Sequence, residues 1–162
     1  MTSKDTVTAN QIIQKIKAAK DKAELQQISQ LVHKLPSTVE EQDLFNIGSA
    51  FLKAKDFNHA SQIIDMMAQD SSYFNPSVEE LRAFLQFAQG DFNGALKTIE
   101  KLRNEADDVR FLVMKQKIFN KMGRKNEADS LQQQIYEYQS KTEIHSKAGG
   151  ETHNDSPWEG ME

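Results

Sequence analysis

A short phrase returns along this chain at a near-constant interval: Gly48 followed by Lys55-Asp56-Phe57 and Ala60, then Gly90-Asp91-Phe92 and Ala95, and in weaker form Gly123-Arg124-Lys125 and Ala128. The interval is roughly 34 residues, the length of one helical hairpin in repeat architectures. Hairpins of this kind cannot bury their apolar faces alone. They stack on one another, and the stack presents an extended curved surface. The period therefore predicts an all-α fold of about four stacked hairpins, an α-solenoid whose use is contact with other proteins.

Apolar residues between the turns recur at helical spacing. Ile12, Ile13, Ile16 and Ala19 mark a first helix capped by Asn10 or Thr8, and Leu25, Ile28, Leu31 and Val32 mark a second that ends before Pro36. Leu44, Ile47 and Phe51 lead into Phe57, Ala60, Ile63, Ile64 and Met67, and Val78, Leu81, Leu85 and Ala88 lead into Phe92, Ala95, Ile99 and Leu102. The last pair carries Phe111, Met114, Ile118 and Met122, then Ala128, Leu131 and Ile135, with Tyr136 and Tyr138 placed to cover the open end. Ser37 with Glu40 and Ser77 with Glu80 have capping-box spacing at two helix starts. The hairpins fall at about 10–35, 38–70, 76–104 and 109–138, giving one helical domain over 10–138. Residues 1–9 and the acidic tail 139–162 are expected to be disordered, because Gly149-Gly150, Pro157 and scattered charges supply few apolar groups. The tail holds the only tryptophan, Trp158, which reads either as a docking motif or as part of a merely solubilising segment.

Composition excludes several classes of work. With 162 residues and 38% hydrophobic content there is core enough for one domain. The chain has no cysteine, so disulfides, thiolate metal sites and thiol nucleophiles are all absent, which suits a reducing, cytoplasmic setting. The polar start Met1-Thr-Ser-Lys-Asp-Thr-Val-Thr-Ala-Asn10 lacks the apolar core of a signal peptide, and no stretch approaches the roughly 20 apolar residues of a membrane span. A formal charge of −4 disfavours nucleic acid as a partner. His33, His59, His145 and His153 lack metal-binding spacing, and His33 and His59 are expected to be solvated near helix ends. The seven glycines form no phosphate cradle. Glu40-Glu41 and Glu79-Glu80 open helices, where the macrodipole already accounts for acidic residues. No catalytic residue, metal or cofactor is expected.

Two sets of residues are candidates for partner contact. Arg110, Lys117, Lys121 and Arg124, spaced 7, 4 and 3 apart, share one stripe of a helix that also carries Phe111 and Ile118. That stripe is either a rail for acidic residues of a partner or a solvated face. Phe45, Leu52, Phe84 and Phe87 are apolar beyond what their packing stripes require, so they either line a groove as anchors or pack between neighbouring hairpins. The groove is expected to take an extended or helical segment of another protein, with Arg110, Lys117 and Lys121 at a basic end. A homodimer, or a permanent place in a larger assembly, would use the same apolar positions.

The order Leu44, Ile47, Gly48, Phe51, Phe57, Ala60 and Ile64 resembles the tetratricopeptide repeat. Residues 75–108 fit through Gly90, Asp91, Phe92 and Ala95, with Arg82 or Ala83 at the small position of the first helix, and residues 109–138 keep Gly123 and Ala128 but carry Lys115 or Gln116 at that position. The layout as a whole, an N-terminal helical pair, three repeats and a loose tail, is similar to the translocator chaperones of bacterial type III secretion. That resemblance implies a cytoplasmic, dimeric chaperone that holds a segment of a hydrophobic secreted protein.

Overall fold

The computed structural model describes residues 7–69, 75–103, 108–142 and 158. Among these residues there are eight α-helices and no strand: α1 Ala9–Ala18, α2 Lys22–Leu31, α3 Glu41–Lys53, α4 Phe57–Gln69, α5 Pro76–Ala88, α6 Phe92–Glu100, α7 Asp108–Lys121 and α8 Lys125–Thr142, with a 3₁₀ turn at Val32–Lys34 after α2. Helices adjacent in the chain pack as pairs, α1 on α2, α3 on α4, α5 on α6 and α7 on α8. The pairs join through α4 on α5 and α6 on α7, and the leading helices α1, α3 and α5 also touch in series.

Three of the turns within pairs share one backbone design. The second residue after the helix adopts a left-handed conformation, at Lys55 (φ 63°), Gly90 (φ 89°) and Gly123 (φ 78°). The next N–H then reaches back five residues: Asp56 to the Phe51 carbonyl (2.9 Å), Asp91 to Gln86 (2.8 Å) and Arg124 to Phe119 (2.9 Å). This Schellman closure satisfies carbonyls at the helix end and starts the returning helix at once. Asp56 and Asp91 also cap that helix, their Oδ1 atoms accepting from the His59 (3.2 Å) and Gly94 (3.0 Å) N–H groups. The repeated phrase in the sequence is thus a repeated turn.

Helix starts follow local chemistry that differs in part from the expected boxes. Thr8 does cap α1, exchanging hydrogen bonds with Gln11 at 3.0 and 3.2 Å. Ser37 does not pair with Glu40: Val39 N–H closes a turn onto the Pro36 carbonyl (3.0 Å), and α3 starts later, with Glu40 N–H donating to Asp43 (3.3 Å). Ser77 does not pair with Glu80 either. Pro76 occupies the first helical position, where a missing N–H costs nothing, and the preceding Asn75 accepts from the Ser77 N–H (3.0 Å). Glu80 is left one turn inside α5 and points elsewhere.

The core runs the length of the described helices. Phe51, Ile12, Ile47, Leu52, Leu81, Ile99, Leu102, Met114 and Ile118 are its most buried large side chains, each worth about 1.5–3 kcal/mol on burial. Gly48 marks a close approach: a Cβ there would lie 3.1 Å from Leu81 Cδ1 and 3.3 Å from Ile63 Cγ2, so α3, α4 and α5 meet where a side chain has been left out. Among the described side chains of α8, those of Ala128, Leu131 and Ile135 are buried. Tyr136 and Tyr138 do not cover the end of the fold; they are exposed, Tyr136 at 60%, because positions 131 and 135 point the apolar stripe at α7 and turn 136 and 138 away. Helix α8 also runs on to Thr142, past the expected end near 138. Most of the residues expected to form disordered ends lie outside those described. No described helix is long and apolar enough to cross a membrane.

Candidate functional site

The anchor candidates are core residues. Phe45 and Leu52 on α3, and Phe84 and Phe87 on α5, are all buried, and Phe45 and Leu52 lie on the helix that packs against α1, α4 and α5. Phe84 and Phe87 have a different cover. Their rings are 5.7 Å apart, Phe87 meets Phe92 of α6 at 5.8 Å, and the ring seated on both is that of Trp158. The indole stands edge-on to Phe84 (4.9 Å, 85°) and tilted on Phe87 (5.4 Å, 44°), within the range that ring quadrupoles favour. Trp158 is only 3% exposed. The sequence separated the phenylalanines from the tail tryptophan, and the structure brings them together.

The expected basic stripe is not continuous on one helix: α7 ends at Lys121, Arg124 lies in the turn before α8, and the four residues have different tasks. Arg110 reaches back to α5 and donates from Nε (3.1 Å) and Nη2 to the two oxygens of Glu80. Arg124 forms a two-pronged pair with Glu127 and lies over the Phe119 ring at 4.9 Å. Lys117 is half-buried and Lys121 is exposed. A second set of cations, which the spacing did not single out, gathers on Phe111: Arg103 and Lys115 stand 5.3 and 5.2 Å from its ring centre, at distances where cation–π attraction operates. Both also hold Glu100, at 2.7 Å from Arg103 and 3.3 Å from Lys115. Burial pushes the Glu100 carboxyl up, but hydrogen bonds and charge from Lys115 and Arg103 outweigh it and hold the group below its ordinary value.

Other polar ties cross the helix pairs. Asn75 donates to Glu41 (2.6 Å), joining the starts of α5 and α3, and Thr98 of α6 donates to Gln86 of α5 (2.6 Å). His59 is not solvated as expected. It is buried, with Nδ1 2.6 Å from Asp56 Oδ2 and Nε2 3.0 Å from the Gln26 side chain, so it ties α4 to α2. His33 is exposed. A cleft of about 250 Å³ between α2 and α4 is lined by Val32, His33, His59, Asp65 and Met66. Among the described residues no group of three His, Asp or Glu side chains is placed to hold a metal ion. His145 and His153 lie outside the described residues. Comparison with known proteins gives no match: no family model fits the chain, and no curated protein or solved structure is significantly similar to it.

Proposed function

We propose that this chain is a non-catalytic protein-binding module, a tetratricopeptide-like stack whose leading helices form a face for a segment of another protein. The observation that carries the reading is the threefold Schellman turn at Lys55, Gly90 and Gly123, because equal turns at equal intervals generate equal helical pairs. Serial contact of α1, α3 and α5 supports it, since leading helices in one layer form one side of a stack. The partner segment is extended or helical and carries acidic residues that meet Lys117 and Lys121. A chaperone for hydrophobic secreted proteins is the narrower form of the proposal and follows from the layout of the sequence alone.

The test is capture of partners from the native cell extract, followed by calorimetry of the isolated partner segment at two ionic strengths. Lys117→Glu with Lys121→Glu should weaken binding about tenfold and flatten its salt dependence. Unchanged affinity removes the basic rail. A structural subunit is the second reading, favoured by the exposed Tyr136 and Tyr138 on α8, the terminal described helix. Light scattering separates the two, because a permanent subunit forms a defined oligomer when purified alone.

A further inference from the structure

Trp158 reaches α5 from the far end of the sequence. Residues 143–157 connect it to Thr142 at the end of α8, yet its indole is more deeply buried than Phe84 or Phe87, the two rings that receive it. Contacts on the described side are ring to ring: edge-on to Phe84, tilted on Phe87, with Phe92 beyond Phe87. Such an arrangement selects a flat aromatic group over an aliphatic one, because edge and face attract each other in addition to the loss of wet surface. The same two phenylalanines are among the four residues, Phe45, Leu52, Phe84 and Phe87, that sequence alone marked as surplus to helix packing. In this fold both rings meet one indole.

We propose that the Phe84–Phe87 face of α5 is a recognition site for a single aromatic side chain of a partner segment, and that Trp158 is its built-in competitor. This deepens the protein-binding reading and rests on it for the identity of the partner as a protein, while the site and its resident indole stand on their own contacts. Because it belongs to the same chain as its site, Trp158 competes with a free aromatic group at an effective concentration on the order of millimolar. One side chain held at that concentration closes the site against weak, incidental aromatic contacts. A segment that adds backbone or charge contacts beside its aromatic residue displaces it. The unbound chain therefore keeps its most apolar partner contact covered, which guards against self-association through exposed rings.

Trp158 is the only tryptophan, so it reports its own position by fluorescence excited at 295 nm. In the intact chain its emission should be blue-shifted and poorly quenched by acrylamide. Adding a peptide of residues 151–162 with phenylalanine in place of Trp158 should shift emission to the red and raise quenching in a saturable way. In the Trp158→Ala chain the natural-sequence peptide 151–162 should bind, with its own tryptophan moving to the blue, and about tenfold more tightly than it binds the intact chain. Phe84→Leu with Phe87→Leu, which keeps the surface apolar, should abolish the blue shift in both formats. If Trp158→Ala does not fold, the displacement titration of the intact chain decides alone.

An emission maximum and quenching like those of free tryptophan in the intact chain, or equal peptide affinity for the intact and Trp158→Ala chains, overturns the proposal. So does a blue shift that appears only as protein concentration rises, since the indole then sits on a second copy. Failure of the wider reading looks different: the peptides would behave as expected, but the partner captured from extract would bind the Phe84→Leu/Phe87→Leu chain unchanged.

Discussion

Breaking the Glu80–Arg110 pair should produce the largest loss of stability available from a single polar change. The pair joins α5 to α7, and its side chains keep only 10% (Glu80) and 20% (Arg110) of their exposure. Arg110→Met removes the guanidinium and leaves the carboxylate where water reaches it poorly. Removing one member of a buried pair costs roughly 3–5 kcal/mol, and the residual exposure here places the expectation at about 3 kcal/mol. With a urea m-value of about 2 kcal/mol/M, the midpoint should fall by roughly 1.5 M. Glu80→Leu should cost less, about 1–2 kcal/mol, because the longer arginine swings its charge toward solvent. The double change Glu80→Leu/Arg110→Met puts apolar groups on both sides and should lie within about 1 kcal/mol of the parent, a coupling of roughly 4 kcal/mol. Urea unfolding followed by circular dichroism at 222 nm at pH 7 reads all four corners of the cycle, and a constant m-value licenses the comparison. Single and double changes that simply add, or an Arg110→Met loss below about 1 kcal/mol, would refute the claim that this pair carries energy between the helices.

Other expectations are smaller or of opposite sign. Gly48→Val should destabilise by roughly 2 kcal/mol in the same assay, since its methyls enter the gap already bounded by Leu81 at 3.1 Å and the stiff Ile63 at 3.3 Å. Lys55→Gly should stabilise by about 0.5–1 kcal/mol by relieving a left-handed backbone at a residue with a side chain, whereas Gly90→Ala should cost about 1 kcal/mol for the reverse reason. Glu100 has its pKa lowered from 4.5 in the folded state, so its pairs with Arg103 and Lys115 contribute above that value and the contribution is lost as pH falls through the folded pKa. Its side chain is 44% exposed, which limits the effect to less than about 1 kcal/mol. Melting temperatures of the parent and Glu100→Gln should differ at pH 6 and converge as pH drops below 4.5.

The turns were legible because their chemistry is local. A left-handed residue followed by a capping aspartate occupies two adjacent positions, so Gly90-Asp91 and Lys55-Asp56 announce themselves, and the helix pairs follow from the interval. The capping boxes were misread for the same local reason. Ser-x-x-Glu is a common string, and Pro76 after Asn75 offers a better start than Ser77 does. Partners distant in sequence could not be read. Nothing near His59 in the chain points to Gln26, and nothing near Arg110 points to Glu80, so one looked solvated and the other looked available to a partner. Only the fold, which brings α4 within side-chain reach of α2 and α7 within side-chain reach of α5, sets those groups face to face.

The four anchor candidates divide by what covers them. Phe45 and Leu52 lie on α3 between helices that are part of the continuous chain path, and uncovering them means separating α3 from its neighbours in the core, at a cost comparable to losing a folded unit. Phe84 and Phe87 are covered on one side by an indole that no described helix delivers. On the proposal above they are uncovered when the Trp158 indole leaves, with α5 and α6 unchanged. Apolar surface that is buried in one state and presented in another has to be closed by something that can move without unfolding the rest, because the core itself is close-packed and does not open in part. By that criterion the proposed aromatic site belongs on α5 and not on α3. A partner that needs Phe45 or Leu52 would have to bind in competition with folding, and Phe45→Leu should therefore register in urea midpoints while leaving peptide displacement of Trp158 untouched.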